Sequence, residues 1–540
     1  MKKSILLGLM SLMIIGHTFA QSAVWAKTTV SNSFENRALD IDSDENVYIA
    51  GSFGGIVEFD PSLGTFDSDG DIYVQKLDSA GNFEWVTILG ADDDLNAPHD
   101  DVQDILVDDQ GNSYVSGTFV DTTQFWATHI YLVKLDSDGT VLWEHTLGSG
   151  GGGQMTFAAD GGLLVTGFFN DTTDFDPDST NEFELYPSNG DMFILKLNPN
   201  GMFEWVKQLG AYGGFAGAWS YPSIEIDDAG MIYLGGGFSD TFDINPGTAI
   251  DQYIATPQVN PFDQDMYLLK LDENANYVWS HHFEGLENDN IRDIQIVNGH
   301  IVIQGSITNQ VDVDPDPIDE NIVNGNWGRN GFILSLSLDG EFEWVNLYNA
   351  TMLVLDTDQG GNVYSYGWID EVCDFSQTST PNQVTPLTDE NLYILQLDSL
   401  GEFLEVANYD DQAIASAWLS MRRSQDGDFY ILGNSSGSLF GLLPNISNMT
   451  FVAKLSSVPG QNSVLSLTHA QVVLSPNPTM DLVTIIADIE IDEICVRDIR
   501  GKEVFRSESS TFDLSAHDSG VYYVTMISGN AHFTMSVVKE

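Results

Sequence analysis

The phrase LDSAGNFEWVTILG at residues 77–90 recurs as LNPNGMFEWVKQLG at 197–210 and as LSLDGEFEWVNLY at 336–348. Each copy begins with a short turn rich in Asp, Asn and Gly and continues as a segment in which apolar and polar residues alternate. Alternation with a period of two is the pattern of a β-strand with one buried face. Three copies in one chain predict a repeated unit built from strands.

A second recurring segment, of the form aromatic-x-x-Gly, gives the number of units. It occurs seven times, and its aligned glycines are Gly51, Gly117, Gly167, Gly236, Gly305, Gly367 and Gly433. The spacing runs from 50 residues (Gly117 to Gly167) to 69 (Gly167 to Gly236). A third segment, such as IYLVKLD at 130–136, precedes the Trp-containing phrase of its unit.

Each unit also contains an earlier strand, such as VQDILVD at 102–108, so a unit supplies four antiparallel strands, the content of one propeller blade. The Trp strands centre on Trp85, Trp143, Trp205, Trp279 and Trp344, and FLEV at 403–406 takes this place in the sixth unit. The seventh copy, SAVWAKT at 22–28, stands at the front of the chain. We therefore predict an all-β, seven-bladed β-propeller over residues 21–456, closed by an N-terminal strand that joins the last blade.

These repeats resemble the SBBP type of β-propeller repeat of secreted bacterial proteins. The shared pattern is Gly-Asn-x-Tyr-Val-x-Gly-x-Phe followed by Asp-x-Phe-x-x-Lys-Leu-Asp-x-x-Gly-x-x-x-Trp, and it covers about residues 24–456. The resemblance implies an architecture and no particular activity, because propellers serve as binding proteins, scaffolds and enzymes.

The composition changes after the last repeat. Residues 457–471 form a polar linker with Pro and Gly, and a second strand-rich module, a small β-sandwich, is expected over 472–540. Its motifs are Pro476-Asn477-Pro478, Asp498 with Gly501-Lys502, Asp513-Leu514-Ser515, Gly520-Val521-Tyr522-Tyr523 and Val538-Lys539. They resemble the type A C-terminal sorting domain of the type IX secretion system. The resemblance implies the type IX machinery as a partner and a cell-surface or secreted protein of a Bacteroidetes-like bacterium.

The N-terminus is typical of a secretory signal peptide over residues 1–20. Lys2 and Lys3 precede the apolar run ILLGLMSLMIIG, and Thr18-Phe19-Ala20 predicts cleavage near Ala20. The apolar run is short for a membrane span, and no later segment resembles one. The two cysteines, Cys373 and Cys495, fall in different predicted domains, which favours two buried thiols over a disulfide.

The charge of the chain narrows the classes of partner. There are 19 Lys and Arg residues against 80 Asp and Glu, a formal net charge of -61. Such a surface repels nucleic acids and anionic membranes, so neither is an expected partner.

Acidic pairs recur between the second and third strands of the units. The pairs are Glu58 with Asp60, Asp174 with Asp176, Asp243 with Asn245, and Asp312 with Asp314. Residues two apart on an extended segment face the same side, so each pair can offer oxygens to calcium. The alternative is a solvated acidic rim that keeps the protein soluble. Calcium is therefore the one candidate cofactor, with these eight residues as its candidate ligands.

No motif identifies a catalytic constellation. GNSSG at 433–437 lacks the helix of a nucleophile elbow, and GSGGGG at 148–153 is interpreted as a flexible loop between blades. The first hypothesis is a non-enzymatic surface propeller that binds polysaccharide or protein, with the insertions at 240–264 and 309–330 carrying specificity. The alternative is a polysaccharide hydrolase or lyase with acids at the central channel, where Asp40, Asp104, Ser223 and Asp293 lie on or near the inner strands.

Overall fold

The chain is described here by a computed structural model. The residues that it describes are 23–31, 33–57, 59, 65–90, 100–121, 127–188, 190–212, 221–255, 264–285, 287–316, 320–325, 330–376, 381–386, 391–409, 420–435, 449–456, 472–475, 482–487, 493–498, 502–507, 511–517, 520–528 and 531–539. The predicted signal peptide (1–20), its cleavage site and the whole of the predicted linker (457–471) lie outside these residues.

The described residues are all-β and contain no helix, which confirms the all-β part of the predicted fold. Accordingly, none of them belongs to a helix long and apolar enough to cross a membrane. The chain divides into two compact units, one of which is Ala23–Ser457 and the other of which holds the C-terminal residues from Val458 onward. Cys373 and Cys495 are both buried and form no disulfide.

The strands of the first unit fall into three consecutive groups. The first group is β1 (Ala23–Ser31), β2 (Ser33–Ile41), β3 (Val47–Val57), β4 (Phe66–Leu77), β5 (Phe83–Leu89), β6 (Asp101–Val107), β7 (Ser113–Asp121), β8 (Ala127–Leu135), β9 (Val141–Phe157), β10 (Leu163–Phe169), β11 (Thr173–Asp174), β12 (Glu184–Leu185), β13 (Asp191–Leu197) and β14 (Phe203–Tyr212). The second group is β15 (Ser223–Ile226), β16 (Ile232–Phe238), β17 (Thr241–Asp243), β18 (Gln252–Ile254), β19 (Asp265–Leu271), β20 (Tyr277–Phe283), β21 (Asn290–Val297), β22 (His300–Ser306), β23 (Gln310–Asp312), β24 (Ile322–Asn324), β25 (Gly331–Ser337) and β26 (Phe342–Tyr348). The third group is β27 (Thr351–Thr357), β28 (Val363–Ile369), β29 (Cys373–Asp374), β30 (Gln383–Val384), β31 (Asn391–Leu397), β32 (Phe403–Tyr409), β33 (Ser420–Arg423), β34 (Phe429–Ser435) and β35 (Met449–Leu455).

These strands pair in antiparallel sets of four, which we number as sheets I to VII. The sets are β2-β3-β4-β5 (I), β6-β7-β8-β9 (II), β9-β10-β13-β14 (III), β15-β16-β19-β20 (IV), β21-β22-β25-β26 (V), β27-β28-β31-β32 (VI) and β33-β34-β35-β1 (VII). The N-terminal strand β1 is thus the fourth strand of sheet VII, where Ala26 pairs with Ala453 of β35. Every Trp-containing phrase of the repeat lies on a fourth strand.

Sheets II and III share β9, and this differs from the sequence prediction of a flexible loop at 148–153. The first half of β9 pairs with β8 and the second half with β10, where Gly150 lies opposite Phe169. A Cβ atom at Gly150 would lie only 2.1 Å from the carbonyl oxygen of Phe168. The glycines therefore permit a close approach of two backbones rather than a mobile connection.

The hydrophobic core lies between consecutive sheets. Seven clusters of buried residues each combine side chains of two neighbouring sheets, and one of them joins Leu39 and Ile49 of sheet I to Leu432 and Val452 of sheet VII. Burial of large apolar side chains contributes roughly 1.5–3 kcal/mol each, so these interfaces supply most of the stabilisation.

The repeated Trp docks on a turn of the next sheet, which explains the recurring phrase. Trp85 of sheet I donates from Nε1 to the carbonyl of Ser137, in the turn between the third and fourth strands of sheet II (2.9 Å). The ring covers Gly139, which has a φ of +81° and whose added Cβ would lie 2.7 Å from Trp85 Cε3. The turn therefore needs Gly for its backbone and for the ring above it. Trp25 of β1 makes the same contact, with the carbonyl of Ser79 in sheet I at 3.1 Å.

The two ends of each sheet differ. At one end, connections between the first and second strands, and between the third and fourth, are tight turns that close with a residue of positive φ, usually Gly. At the other end, the connection between the second and third strands is long in sheets III to VI and contains a two-stranded hairpin: β11-β12, β17-β18, β23-β24 or β29-β30. We call the first end the turn edge and the second the hairpin edge.

The C-terminal unit contains two small sheets. Its strands are β36 (Val472–Ser475), β37 (Leu482–Ala487), β38 (Glu493–Asp498), β39 (Glu503–Ser507), β40 (Thr511–Asp513), β41 (Gly520–Ser528) and β42 (Ala531–Lys539). They form the sheets β36-β37-β40 and β39-β38-β41-β42, around a core that includes Val483, Val496 and Phe512. Lys539 is buried, and its ammonium donates to the carbonyls of Leu514, Ser515 and His517, so the last strand is tied to the Asp513-Leu514-Ser515 turn.

Candidate functional site

The first strands of the seven sheets align their side chains in a common register. The second strand of each sheet has one position that is Tyr in five of the seven sheets (Tyr48, Tyr114, Tyr233, Tyr364 and Tyr430). On each first strand, one residue lies opposite this position. These register-equivalent residues are Asp40, Leu106, Thr156, Glu225, Gln295, Asp356 and Arg422. Since cross-strand partners share a face of the sheet, the seven side chains form one layer.

A second layer lies two residues earlier on the same strands, and therefore on the same face. It contains Asp104, Ser223 and Asp293, each opposite the residue that precedes the repeat glycine. The acids of the two layers and the arginine, namely Asp40, Asp104, Glu225, Asp293, Asp356 and Arg422, form what we call the first-strand cluster. Its members come from six different sheets and span 382 residues of sequence between Asp40 and Arg422.

Four of these carboxylates accept a backbone N–H from the first strand of the next sheet. Asp40 accepts from Val107 (2.7 Å), Asp104 from Met155 (2.9 Å), Asp293 from Leu355 (2.9 Å) and Asp356 from Arg423 (3.0 Å). The hydroxyl of Ser223 accepts from Ile294 in the same way (3.1 Å). These bonds tie sheet I to II, II to III, IV to V, V to VI and VI to VII. Each carboxylate therefore has a positioning role in the fold.

Arg422 is the cation of the cluster. Its Nε donates to Asp40 Oδ1 at 3.2 Å, which links sheet VII to sheet I. Burial acts to lower the pKa of Arg422, but the charges of Asp40, Asp104, Asp356 and Asp293 outweigh burial and raise it. One guanidinium thus interacts electrostatically with acids of four other sheets.

Burial raises the pKa of every acid in the cluster. The pKa of Asp104 rises to about 6 and that of Asp356 to about 6, with the charge of Arg422 opposing the rise in both. Burial raises the pKa of Asp293 to about 7, and burial followed by the charge of Asp293 raises that of Glu225 to about 8. The pKa of Asp40 is also raised by burial. At neutral pH the cluster therefore holds both protonated and ionised carboxyl groups.

This arrangement has two chemical capacities. A carboxylic acid that stays protonated at neutral pH can donate a proton, and an ionised neighbour can accept one. The guanidinium can orient an anionic group.

Asp40, Asp104, Ser223 and Asp293 were predicted from the sequence to lie on or near the inner strands, and all four lie on first strands. Sequence reasoning missed Glu225, Asp356 and Arg422, although their equal spacing from the repeat motif was a usable signal.

The predicted calcium loops form the hairpins of the hairpin edge. Asp174 Oδ1 accepts from the backbone N–H groups of Asp176 (3.1 Å) and Phe183 (2.7 Å). Asp312 Oδ1 likewise accepts from Asp314 (3.1 Å) and Asn321 (2.9 Å).

The hairpin of sheet IV repeats this arrangement. Asp243 Oδ1 accepts from the backbone N–H groups of Asn245 (3.3 Å) and Asp251 (3.0 Å). Glu58 and Asp60, the first predicted pair, lie outside the described residues. In the three described loops, the first acid of the pair closes the hairpin across its neck.

The residue between the two acids explains the motif. It is apolar and fully buried in the three described loops, as Phe175, Ile244 and Val313, and Phe375 has the same place in sheet VI. Each packs among aromatic or aliphatic side chains of the second and third strands of its sheet, as Phe175 does with Phe169 and Phe193. Among the described residues there is no group of three or more His, Cys, Asp or Glu side chains placed to hold a metal ion. Calcium binding by these loops stays a prediction.

One comparison with known families covers the C-terminal module. Residues 474–540 match the family described as the secretion system C-terminal sorting domain. The C-terminal module is a type IX sorting domain. It implies interaction with the secretion machinery and a secreted or cell-surface protein. The match covers the described Asp498, Asp513-Leu514-Ser515 and Lys539 motifs, whereas Pro476-Asn477-Pro478 and Gly501 lie outside the described residues.

The first unit has structural neighbours of low sequence identity. They include the Dos1 propeller (TM-score 0.41, 10% identity, covering 81% of this chain and 95% of that one) and virginiamycin B lyase from Staphylococcus aureus (TM-score 0.39, 11% identity, covering 80% and 99%). Another is an ulvan lyase of polysaccharide lyase family PL25 (TM-score 0.38, 10% identity, covering 81% and 94%). No curated protein sequence matches the chain.

Proposed function

We propose that residues 21–456 form a seven-bladed β-propeller of the SBBP-repeat type, closed by β1. Sheets I to VII are the blades, and the first-strand cluster lines the central channel. The support comes from the junction of the chain ends. The core cluster between sheets VII and I and the Trp25 contact to Ser79 have the form of the contacts between the other sheets, and the Arg422–Asp40 ion pair joins the same two sheets. The signal peptide would be cleaved near Ala20 before export by the type IX route of a Bacteroidetes-like bacterium.

The propeller serves as a non-enzymatic binding protein at the cell surface or in the medium, and it contacts polysaccharide or a surface protein through the hairpin edge. One observation carries this proposal. The turn edge repeats nearly the same tight turn in every sheet, whereas the hairpin edge differs in length and sequence from sheet to sheet. Variation on a fixed scaffold is the usual arrangement of a recognition surface.

Hydrogen exchange of the full chain tests which edge binds. Polysaccharides and purified surface proteins are screened first, and the chain is then exchanged with and without the ligand found. We expect protection of the hairpins at 173–185, 241–254, 310–324 and 373–384. Protection confined to the turns, or the absence of any binder in the screen, contradicts the proposal.

Calcium binding by the acidic pairs belongs to the same proposal. The pairs are those predicted from the sequence: Asp174 with Asp176, Asp243 with Asn245, Asp312 with Asp314, and Glu58 with Asp60. In the three described loops the first acid keeps a second carboxylate oxygen beyond the one that closes the hairpin. Thermal unfolding of the full chain in calcium, in magnesium and in chelator at equal ionic strength is the test. A calcium-specific rise in the melting temperature is expected, and equal curves contradict it.

A second candidate function is a polysaccharide hydrolase or lyase at the first-strand cluster. The favouring observation is the coexistence of Glu225, with a pKa of about 8, and Asp104, with a pKa of about 6, around Arg422. The test is product release from soluble polysaccharides. Release by the wild type that is abolished by Glu225→Gln or by Asp104→Asn supports this candidate. Binding without turnover leaves the non-enzymatic function.

A further inference from the structure

An exposed apolar patch lies on the hairpin edge where sheets III and IV meet. It consists of Phe183 and Tyr186 from the β11-β12 hairpin, 43% and 65% exposed, and Ile250 and Ile254 from the β17-β18 hairpin, 72% and 68% exposed. We call these four residues the β14 patch. At this exposure much of the apolar surface of these side chains is in contact with water, and a group of such side chains is typical of an interaction site.

Strand β14 holds the two hairpins side by side. The ring of Phe183 lies 5.1 Å from that of Phe203 at the start of β14, and Gln208 Nε2 donates to the carbonyl of Tyr186 at 3.1 Å. The last three residues of β14 pair with β17, where Gly210 lies opposite Asp243 and Tyr212 opposite Thr241. Thr241 in turn lies opposite Ile254 on β18. Phe183, Tyr186 and Ile254 are therefore distributed along one ten-residue strand, and Ile250 lies in the loop between β17 and β18 of the same hairpin as Ile254.

The polar residues around the patch are mostly acidic. Glu182 and Glu184 flank Phe183 in sequence and are exposed, and Glu184 accepts a hydrogen bond from the Tyr186 hydroxyl. Asp251 follows Ile250. Lys207 is the basic residue of β14, and its charge acts on Asp272, an acid of the next turn.

The chemistry of the patch selects a class of partner. Phe183 and Tyr186 have rings on which a sugar can stack, but Ile250 and Ile254, the two most exposed of the four, have none. These two side chains favour a protein surface over a glycan. An acidic rim attracts basic groups and repels anionic lipid, nucleic acid and a second copy of a chain with formal net charge -61.

We propose that the β14 patch docks a basic protein surface, with apolar side chains of the partner against Ile250, Ile254 and Tyr186 and its cations against Glu182 and Glu184. This inference rests on the proposed binding function and narrows its ligand to a protein.

The test uses the full chain and short peptides in fluorescence anisotropy at physiological salt. The probe is a peptide of alternating lysine and leucine, and its controls are a lysine–serine peptide of equal charge and a glutamate–leucine peptide. We expect the lysine–leucine peptide to bind at least about tenfold more tightly than either control, which is the expected effect of burying two or three apolar side chains.

Two triple variants locate the binding. The patch variant is Tyr186→Ser, Ile250→Ser and Ile254→Ser, and the matched control is Leu142→Ser, Val278→Ser and Leu404→Ser, three exposed side chains on strands other than β14. We expect the preference for the lysine–leucine peptide to disappear in the first variant and to persist in the second. Equal binding by both variants overturns the inference.

The outcome also separates this inference from the proposed function. If a ligand from the screen protects the hairpins of sheets V and VI while the patch variant binds the peptide normally, the binding function stands and the β14 inference fails. If a polysaccharide binds and the patch variant loses that binding, the site is a glycan site and the protein partner is wrong. If nothing binds the hairpin edge, both proposals fail together.

Discussion

Replacing Glu225 by Gln is expected to stabilise the protein at high pH and to have little effect at low pH. Glu225 lies on the first strand of sheet IV, and burial followed by the charge of Asp293 raises its pKa from 4.5 to about 8. The folded state therefore binds this proton more tightly than the unfolded state. The stability loss therefore grows as the pH rises from about 4.5 to about 8 and is complete above pH 8, whereas below pH 4.5 both states are protonated and there is no loss. Gln keeps the oxygen that accepts from Gln295 Nε2 (3.4 Å) and never ionises.

The size of the effect follows from the shift. At about 1.4 kcal/mol per pKa unit, a rise from 4.5 to about 8 corresponds to at most about 5 kcal/mol. Because the side chain is partly open to solvent and salt screens the neighbouring charges, we expect about 2 kcal/mol at pH 9. In a protein of this size that is a rise in melting temperature of roughly 3 °C.

The assay is thermal unfolding of the full chain and the variant at intervals from pH 4 to pH 9. The matched control is Glu273→Gln, which removes the same charge from an exposed turn of the same sheet. We expect the difference between Glu225→Gln and wild type to grow with pH and that of the control to stay small. A stabilisation that is the same at pH 4 and pH 9, or a loss of stability at pH 9, refutes the electrostatic reasoning.

Three further changes test other parts of the structure. Gly139→Ala should destabilise by about 2 kcal/mol more than Gly161→Ala in urea unfolding, because both residues have a φ near +80° but only the first lies under a Trp ring; equal losses contradict the docking role of Trp85. Asp312→Ala should cost about 1–2 kcal/mol even in chelator, since the N–H groups of Asp314 and Asn321 lose their acceptor, whereas Asp312→Asn keeps an oxygen there; an unchanged melting curve for Asp312→Ala shows that the carboxylate does not close the hairpin. Lys539→Met should destabilise the sorting domain by about 1–3 kcal/mol, because the carbonyls of Leu514, Ser515 and His517 lose their donor, and Lys539→Arg should restore part of that loss; normal stability and export of the Met variant rule out this role.

Local patterns predicted the strands and most of the turns. The period of two, the Asp-x-x-Gly turns and the repeated Trp are visible within a dozen residues, and the structure places each Trp on a fourth strand. The GSGGGG segment was misread because its composition is that of a loop. Only the register of β9 against β10, where Gly152 lies opposite Gly167, shows that the glycines serve close packing of two strands.

The first-strand cluster depends on contacts that no local pattern contains. Asp40 and Arg422 are 382 residues apart, and they meet because sheets VII and I pack together. Asp40, Asp104 and Asp293 were named from the sequence as residues on or near inner strands. Glu225, Asp356 and Arg422 stand at the same distance before the repeat glycine of their unit as Asp40 does, so counting back from that glycine in every unit would have reached them as well.

The bonds between first strands do not by themselves require a carboxylate. In the second layer, Ser223 makes the same bond to the next sheet with a neutral hydroxyl that Asp104 and Asp293 make with a carboxylate. In the first layer, Leu106 and Thr156 occupy the positions that Asp40, Glu225 and Asp356 have in other sheets.

Neutral residues therefore suffice at both layers, whereas the raised pKa values of Asp293 and Glu225 mean that their ionised forms destabilise the folded chain. Residues that lower stability where neutral ones would serve are typical of functional sites. If Glu225→Gln stabilises the protein as expected and leaves ligand binding at the hairpin edge intact, the reason for the acid must lie in the first-strand cluster itself, and the polysaccharide-cleaving candidate becomes the one to pursue.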